Sequence, residues 1–97
     1  MSTVRKLNES ALRGIYDAYM HEAFPPAELK PLAVMLRLME RGRYLCYGYY
    51  RNGRLAAYAF FYRHDSRVLL LDYFAVTPEL RGRGVGSAFL AALDAVL

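Results

Sequence analysis

The stretch Arg81-Gly82-Arg83-Gly84-Val85-Gly86 stands between an apolar run, Val68–Val76, and an apolar-faced segment, Ser87–Leu97. A strand, a glycine-rich turn and a helix N-terminus in that order form an anion site. Glycines let backbone N–H groups approach a phosphate closely, and the first turn of a helix carries unpaired N–H groups that point outward. Arg81 and Arg83 add positive charge. The plain alternative is a solvated turn whose glycines serve tightness alone. Spacing excludes two common phosphate loops. The pattern G-x-G-x-x-G requires glycine at 82, 84 and 87, and position 87 is Ser87. That pattern also follows its strand directly, whereas Thr77-Pro78-Glu79-Leu80 intervenes here. A Walker loop ends in Gly-Lys-Ser/Thr, and no lysine follows Lys30. What remains is R-x-x-G-x-G over Arg81, Gly84 and Gly86.

Other residues with chemical potential are few. Asp72 is the only acid in Val68–Val76. A carboxylate in such a strand is costly to bury unpaired. Apolar surroundings favour its neutral form, which suits a general base. Strand alternation puts Asp72 on the face of Leu70 and Tyr73 on the opposite face. The competing expectation for Asp72 is a structural acid bonded to a neighbouring strand or helix. Cys46, alone in an aromatic run, reads as a small buried hydrophobe. His21 and His64 are far apart in sequence and do not combine with Cys46 at metal-ligand spacing, so no metal site is expected.

The spacing R-x-x-G-x-G, preceded by Leu71-Asp72-Tyr73-Phe74-Ala75-Val76 and by Pro78-Glu79, resembles the GNAT superfamily of N-acetyltransferases. The likeness is sharp over about Leu70–Leu90, and at the level of element order it covers all 97 residues. It implies that Arg81, Gly82, Arg83, Gly84, Val85, Gly86 and Ser87 hold the pyrophosphate of acetyl-coenzyme A through backbone N–H groups. Gly84 and Gly86 are then expected to lack side chains so that the phosphates can approach. It implies that Phe74, Ala75 and Val76 splay from the sheet and pair with the pantetheine arm like a strand. A backbone N–H there, that of Ala75 or Val76, would polarise the thioester carbonyl. Members of the family often use an acid on this strand, which makes Asp72 the candidate catalytic residue. The most familiar position of that acid falls at Leu70. The family's general acid, a tyrosine, lies in elements that would follow Leu97. The chain is therefore expected to be a single incomplete domain, 1–97, ending within the helix after the loop.

These residues need elements to position them. Thr3–Leu7 reads as a first strand. Asn8 and Ser10 are caps for a helix whose stripe is Leu12, Ile15, Tyr16, Tyr19, Met20 and Ala23. Phe24-Pro25-Pro26 ends it. A second helix begins between Pro26 and Pro31, carries Leu32, Met35, Leu36 and Met39 inward, and stops at Gly42. Tyr44–Tyr50 and Leu55–Tyr62 flank Asn52-Gly53, the strongest short hairpin signal. His64-Asp65-Ser66 is a second turn. Three sequential strands then form a meander, and the last, Val68–Val76, is apolar enough to be buried on both faces. The expected class is α/β, in the α+β sense: a mixed, mainly antiparallel sheet with helices on both faces.

Bulk properties narrow the function. Ninety-seven residues suit one domain. An apolar fraction of 56% with nine tyrosines argues for a packed core and against disorder. The net charge of +4 suits an anionic cofactor, and its scatter leaves no basic run for a nucleic-acid backbone. One cysteine excludes an internal disulfide and suits a reducing compartment, so a cytoplasmic location is expected. The N-terminus is polar, and no run approaches the roughly 20 apolar residues of a membrane span. The expected function is acetyl transfer from acetyl-coenzyme A directly to a primary amine, on a small molecule or a peptide. A non-catalytic half-domain that binds coenzyme A or a partner is the alternative, and the oligomeric state is open, a homodimer included. A basic nucleic-acid-binding domain is a third reading, which steeply salt-dependent oligonucleotide binding would reveal.

Overall fold

The computed structural model describes Met1–Leu97. Four strands form one antiparallel sheet in sequence order: β1 (Ser2–Lys6), β2 (Tyr44–Arg51), β3 (Arg54–Arg63) and β4 (Leu69–Val76). The Asn-Gly signal makes the β2–β3 hairpin. Asn52 and Gly53 both take positive φ, 51° and 81°, and Arg51 pairs with Arg54. Positive φ at both central residues matches the right-handed twist of the flanking strands.

Between β1 and β2 lies a helical layer. Asn8 caps α1 (Glu9–Ile15), its Oδ1 accepting from the Ala11 N–H at 2.9 Å. The helix widens into a π turn, Tyr16–Met20, and tightens again in the short α2 (His21–Ala23). After Pro31 comes α3 (Leu32–Glu40). It ends in a Schellman motif: the Gly42 N–H bonds to Met39 and the Arg43 N–H to Leu38, with Gly42 at φ 72°. This layer packs Leu12, Ile15, Tyr16, Met20 and Met35 on Tyr44, Cys46, Tyr58, Phe60 and Tyr73 of one sheet face.

The opposite face carries α4 (Val85–Asp94), which starts two residues before the expected Ser87. Val85, Phe89 and Leu93, four apart, are buried against Leu45, Tyr49, Ala57, Ala59 and Phe61. Phe89 is stacked between Tyr49 (5.1 Å) and Phe74 (5.5 Å). Burying such a ring stabilises by about 1.5–3 kcal/mol, which ties α4 and the loop before it to the sheet. Helices therefore cover both faces.

One expectation for β4 fails. Leu70 and Leu71 are 51% and 53% exposed, and Val68 is also exposed. β4 is an edge strand with β3 as its single neighbour, so its N-terminal half is not buried on both faces. Its face assignment also changes midway. Phe60 pairs with Tyr73 and Phe61 with Leu71, so Asp72 is the extra residue of a β-bulge. Tyr73 accordingly joins the core beneath α1 and α3, on the side where Asp72 meets Tyr44, and not on the opposite face.

Candidate functional site

The glycine-rich loop folds as its spacing requires. Gly82 and Gly84 take φ 78° and 77°, the left-handed region that an L side chain strains to enter. Gly84 is the N-cap of α4, and its carbonyl accepts from Ala88 at 3.1 Å. No N–H from Gly82 to Ser87 makes a well-aligned hydrogen bond to another protein group, and the loop is closed by weak turn contacts alone. These donors stand at the positive end of α4, a geometry that suits an anion. Gly86 differs. Its φ is ordinary, and an added Cβ would lie 3.6 Å from Phe74 and Val76, in normal contact on the sheet side. The expectation that Gly86 keeps a side chain away from phosphate is thus corrected: its missing side chain faces the sheet.

Arg81 turns back on the strand. Its Nε donates to the Val76 carbonyl at 3.3 Å, a bond that braces the turn. Arg83 is exposed and forms no ion pair. The free edge of β4 runs into the loop. The Thr77 N–H bonds to Ala56 at 2.9 Å, and Ala75 and Tyr73 face Tyr58 and Phe60. In an antiparallel ladder bonded positions alternate. Thr77, Ala75 and Tyr73 therefore turn their backbone groups toward β3, and Phe74 and Val76 turn theirs outward. This corrects the expectation for Ala75, whose N–H is inside the ladder.

Asp72 does not stand in apolar surroundings. Its carboxylate accepts from Lys30 Nζ at 3.0 and 2.9 Å and from the Tyr44 hydroxyl. Burial, and then the Asp72 hydrogen bond, push the Tyr44 phenol well above its ordinary range. Burial, followed by the Asp72 charge, pushes the Cys46 thiol up to about 12, so Cys46 is an inert core residue. Lys30 is gripped from three sides. Its ammonium meets Asp72, its N–H donates to the Tyr73 hydroxyl at 2.8 Å, and its carbonyl accepts from Tyr16 at 2.9 Å. The Tyr73 hydroxyl in turn donates a hydrogen bond to the Glu28 carbonyl at 2.6 Å. These contacts dock the segment between α2 and α3 on β4.

A cavity of about 230 Å³ lies between the π turn and the end of β4, lined by Tyr19, Glu22, Tyr58, Thr77, Pro78 and Arg81 among others. Glu22 of α2 lines this cavity, and Glu28 does not. Lys30, Tyr44 and Tyr58 were missed. Period-two alternation along β3 places Tyr58 with Phe60 on one face, but nothing local pairs Lys30 with an acid 42 residues away.

The family profile described as acetyltransferase (GNAT) family matches residues 10–97. The chain belongs to that family. No curated protein matches it. Among solved structures, it is similar to the ribosomal-protein-S18-alanine N-acetyltransferase of Escherichia coli, with 26% identity and a TM-score of 0.71 over 96% of this chain and 57% of that one. A GNAT-family protein from Bacteroides thetaiotaomicron gives a TM-score of 0.82 at 19% identity, over 98% of this chain and 55% of that one. A protein from Clostridium acetobutylicum, solved with acetyl-coenzyme A, gives 0.67 at 13% identity over 96% and 71%. The two lower identities carry the fold alone. The chain thus spans little more than half the length of the first two. No helix is long and apolar enough to cross a membrane.

Proposed function

We propose that this GNAT domain binds acetyl-coenzyme A and takes part in acetyl transfer to a primary amine. The observation that carries the reading is the run of N–H groups from Gly82 to Ser87, at the head of α4, that make no well-aligned bond within the protein. It continues into the free edge at Phe74 and Val76. Bound acetyl-coenzyme A supplies an activated thioester. Gly82–Ser87 would cradle its pyrophosphate, with Arg83 free to add charge. Phe74 and Val76 would hydrogen-bond the pantetheine arm, and one of their N–H groups would polarise the acetyl carbonyl. Holding two reactants in line lowers a barrier by about 7–11 kcal/mol, more than the roughly 10²–10⁴-fold from proton transfer. The cofactor edge is thus the larger contribution.

Asp72 enters this reading as the residue that holds the Lys30 segment against β4. A role as general base requires Lys30 to release it. The test of the function is an unfolding melt with acetyl-coenzyme A and with S-acetylpantetheine, which lacks the pyrophosphate. Stabilisation by the first and not the second supports the reading. Indifference to both, in a chain that melts cooperatively, refutes it. Release of free coenzyme A thiol with an amine present then tests catalysis.

A further inference from the structure

The wall of the cavity beside Arg81 holds a polar group that nothing in the protein uses. Tyr58 is 1% exposed, lines the cavity, and its hydroxyl has no hydrogen-bond partner. Buried hydroxyls nearly always find a partner, because leaving one unpaired costs free energy. Burial pushes this phenol up to about 12, against the opposing pull of the Arg81 charge, so it is a donor at neutral pH. Arg81 spends its Nε on Val76, and its terminal nitrogens bond to no protein group. Glu22 lies in the same lining. The ion pairs of the protein are Arg13–Glu9 and Lys30–Asp72, so Glu22 and Arg81 face one cavity without closing on each other. The volume is below the roughly 300–1,000 Å³ of pockets for drug-sized ligands. It calls for a compact ligand.

We propose that this cavity binds a small zwitterion of the α-amino acid class, its carboxylate accepting from Tyr58 and Arg81 and its ammonium facing Glu22. Resting on the acetyl-transfer reading, the inference names the class of acceptor amine. Two donors and one carboxylate meet the two charges of such a molecule, and the buried hydroxyl gains the partner it lacks. An amine without a carboxylate leaves Tyr58 unpaired, and an acid without an amine leaves Glu22 unanswered.

Calorimetric titration of the full chain tests this with three molecules of one shape: L-valine, 2-methylpropylamine, which lacks the carboxylate, and 3-methylbutanoate, which lacks the amine. Acetyl-coenzyme A is titrated in parallel. L-valine is expected to bind at least tenfold more tightly than either analogue. Tyr58→Phe and Glu22→Gln should each weaken valine about tenfold and leave acetyl-coenzyme A unchanged. Tyr58→Phe should also raise the unfolding midpoint, because it removes an unpaired buried hydroxyl. A tyrosine kept for structure alone would show neither the valine loss nor the gain. Equal binding of all three molecules, or none of valine, in a chain that binds acetyl-coenzyme A overturns the zwitterion pocket and leaves the cofactor reading intact. Valine binding in a chain that ignores acetyl-coenzyme A keeps the pocket and removes the cofactor reading. Binding of neither overturns both.

Discussion

Gly84 and Gly86 look equivalent in the motif, and the structure separates them. Gly84 has φ 77°, and an added Cβ would meet nothing within 4 Å. Gly84→Ala therefore costs backbone strain, about 1–2 kcal/mol for a left-handed alanine. For a domain of this size that is about 4–8 °C of midpoint per kcal/mol. Its methyl also projects into open space at the N-cap of α4. Gly86 sits in the first turn of α4 with ordinary φ, and its Cβ would touch Phe74 and Val76 at 3.6 Å. Gly86→Ala should stabilise the fold by up to about 1 kcal/mol, the helix advantage of alanine. Melts with acetyl-coenzyme A read both effects at once. At a hundred times the dissociation constant the parent gains about 2.7 kcal/mol. Gly86→Ala should keep that gain. Gly84→Ala should fall to about 1.4 kcal/mol or less, the value for tenfold weaker binding. A folded Gly86→Ala chain that has lost the cofactor gain would refute the reasoning, since the geometry aims that methyl at the sheet.

Three further outcomes follow from named contacts. Asp72→Asn keeps the shape and removes the charge that holds Lys30. With Lys30 partly exposed, the loss should be about 1 kcal/mol, and a double-mutant cycle with Lys30→Met should show coupling. In a transfer assay a positioning role raises KM, while a general-base role lowers kcat by about 10²-fold or more. Stability should fall above about pH 9. The folded thiol of Cys46 titrates near 12 against an ordinary value of 9.0, and Tyr58 near 12 against 10.0. The folded state then holds more protons than the unfolded one, so stability is lost as pH rises, by about 1.4 kcal/mol per pH unit for each group. Between pH 9 and 10 Cys46 should be the largest contributor, ahead of Tyr58 and Tyr44, and Cys46→Ala should reduce the slope in pH-stepped melts. Leu71→Lys, on the exposed half of β4, should change the midpoint little and reduce self-association in sedimentation, because charge on a strand edge opposes edge-to-edge pairing.

Local chemistry made most of the fold legible. Asn52-Gly53 is a hairpin because its φ values demand those residues. Asn8 caps because its side chain reaches Ala11, and Gly42 ends α3 because only a left-handed residue closes a Schellman motif. The loop was legible for the same reason: Gly82 and Gly84 are fixed by φ, which composition and spacing report. Tertiary facts were not. The π turn at Tyr16–Met20 leaves the apolar stripe intact, so periodicity does not show it. The exposed half of β4 depends on what lies beside the strand, and an apolar run reads alike in a central and an edge strand.

The bulge at Asp72 shows where reading by alternation stops. One extra residue reverses the face of everything on one side of it. Sequence parity put Asp72 and Tyr73 on opposite faces. The bulge puts both under the α1–α3 layer, where they grip the same residue: Asp72 takes the Lys30 ammonium and Tyr73 takes the Lys30 N–H. An unpaired acid in an apolar strand would have been a strong base candidate. A paired one holds the segment between α2 and α3 against β4. The same sequence supports either placement of the carboxylate, and the register of one residue decides between them.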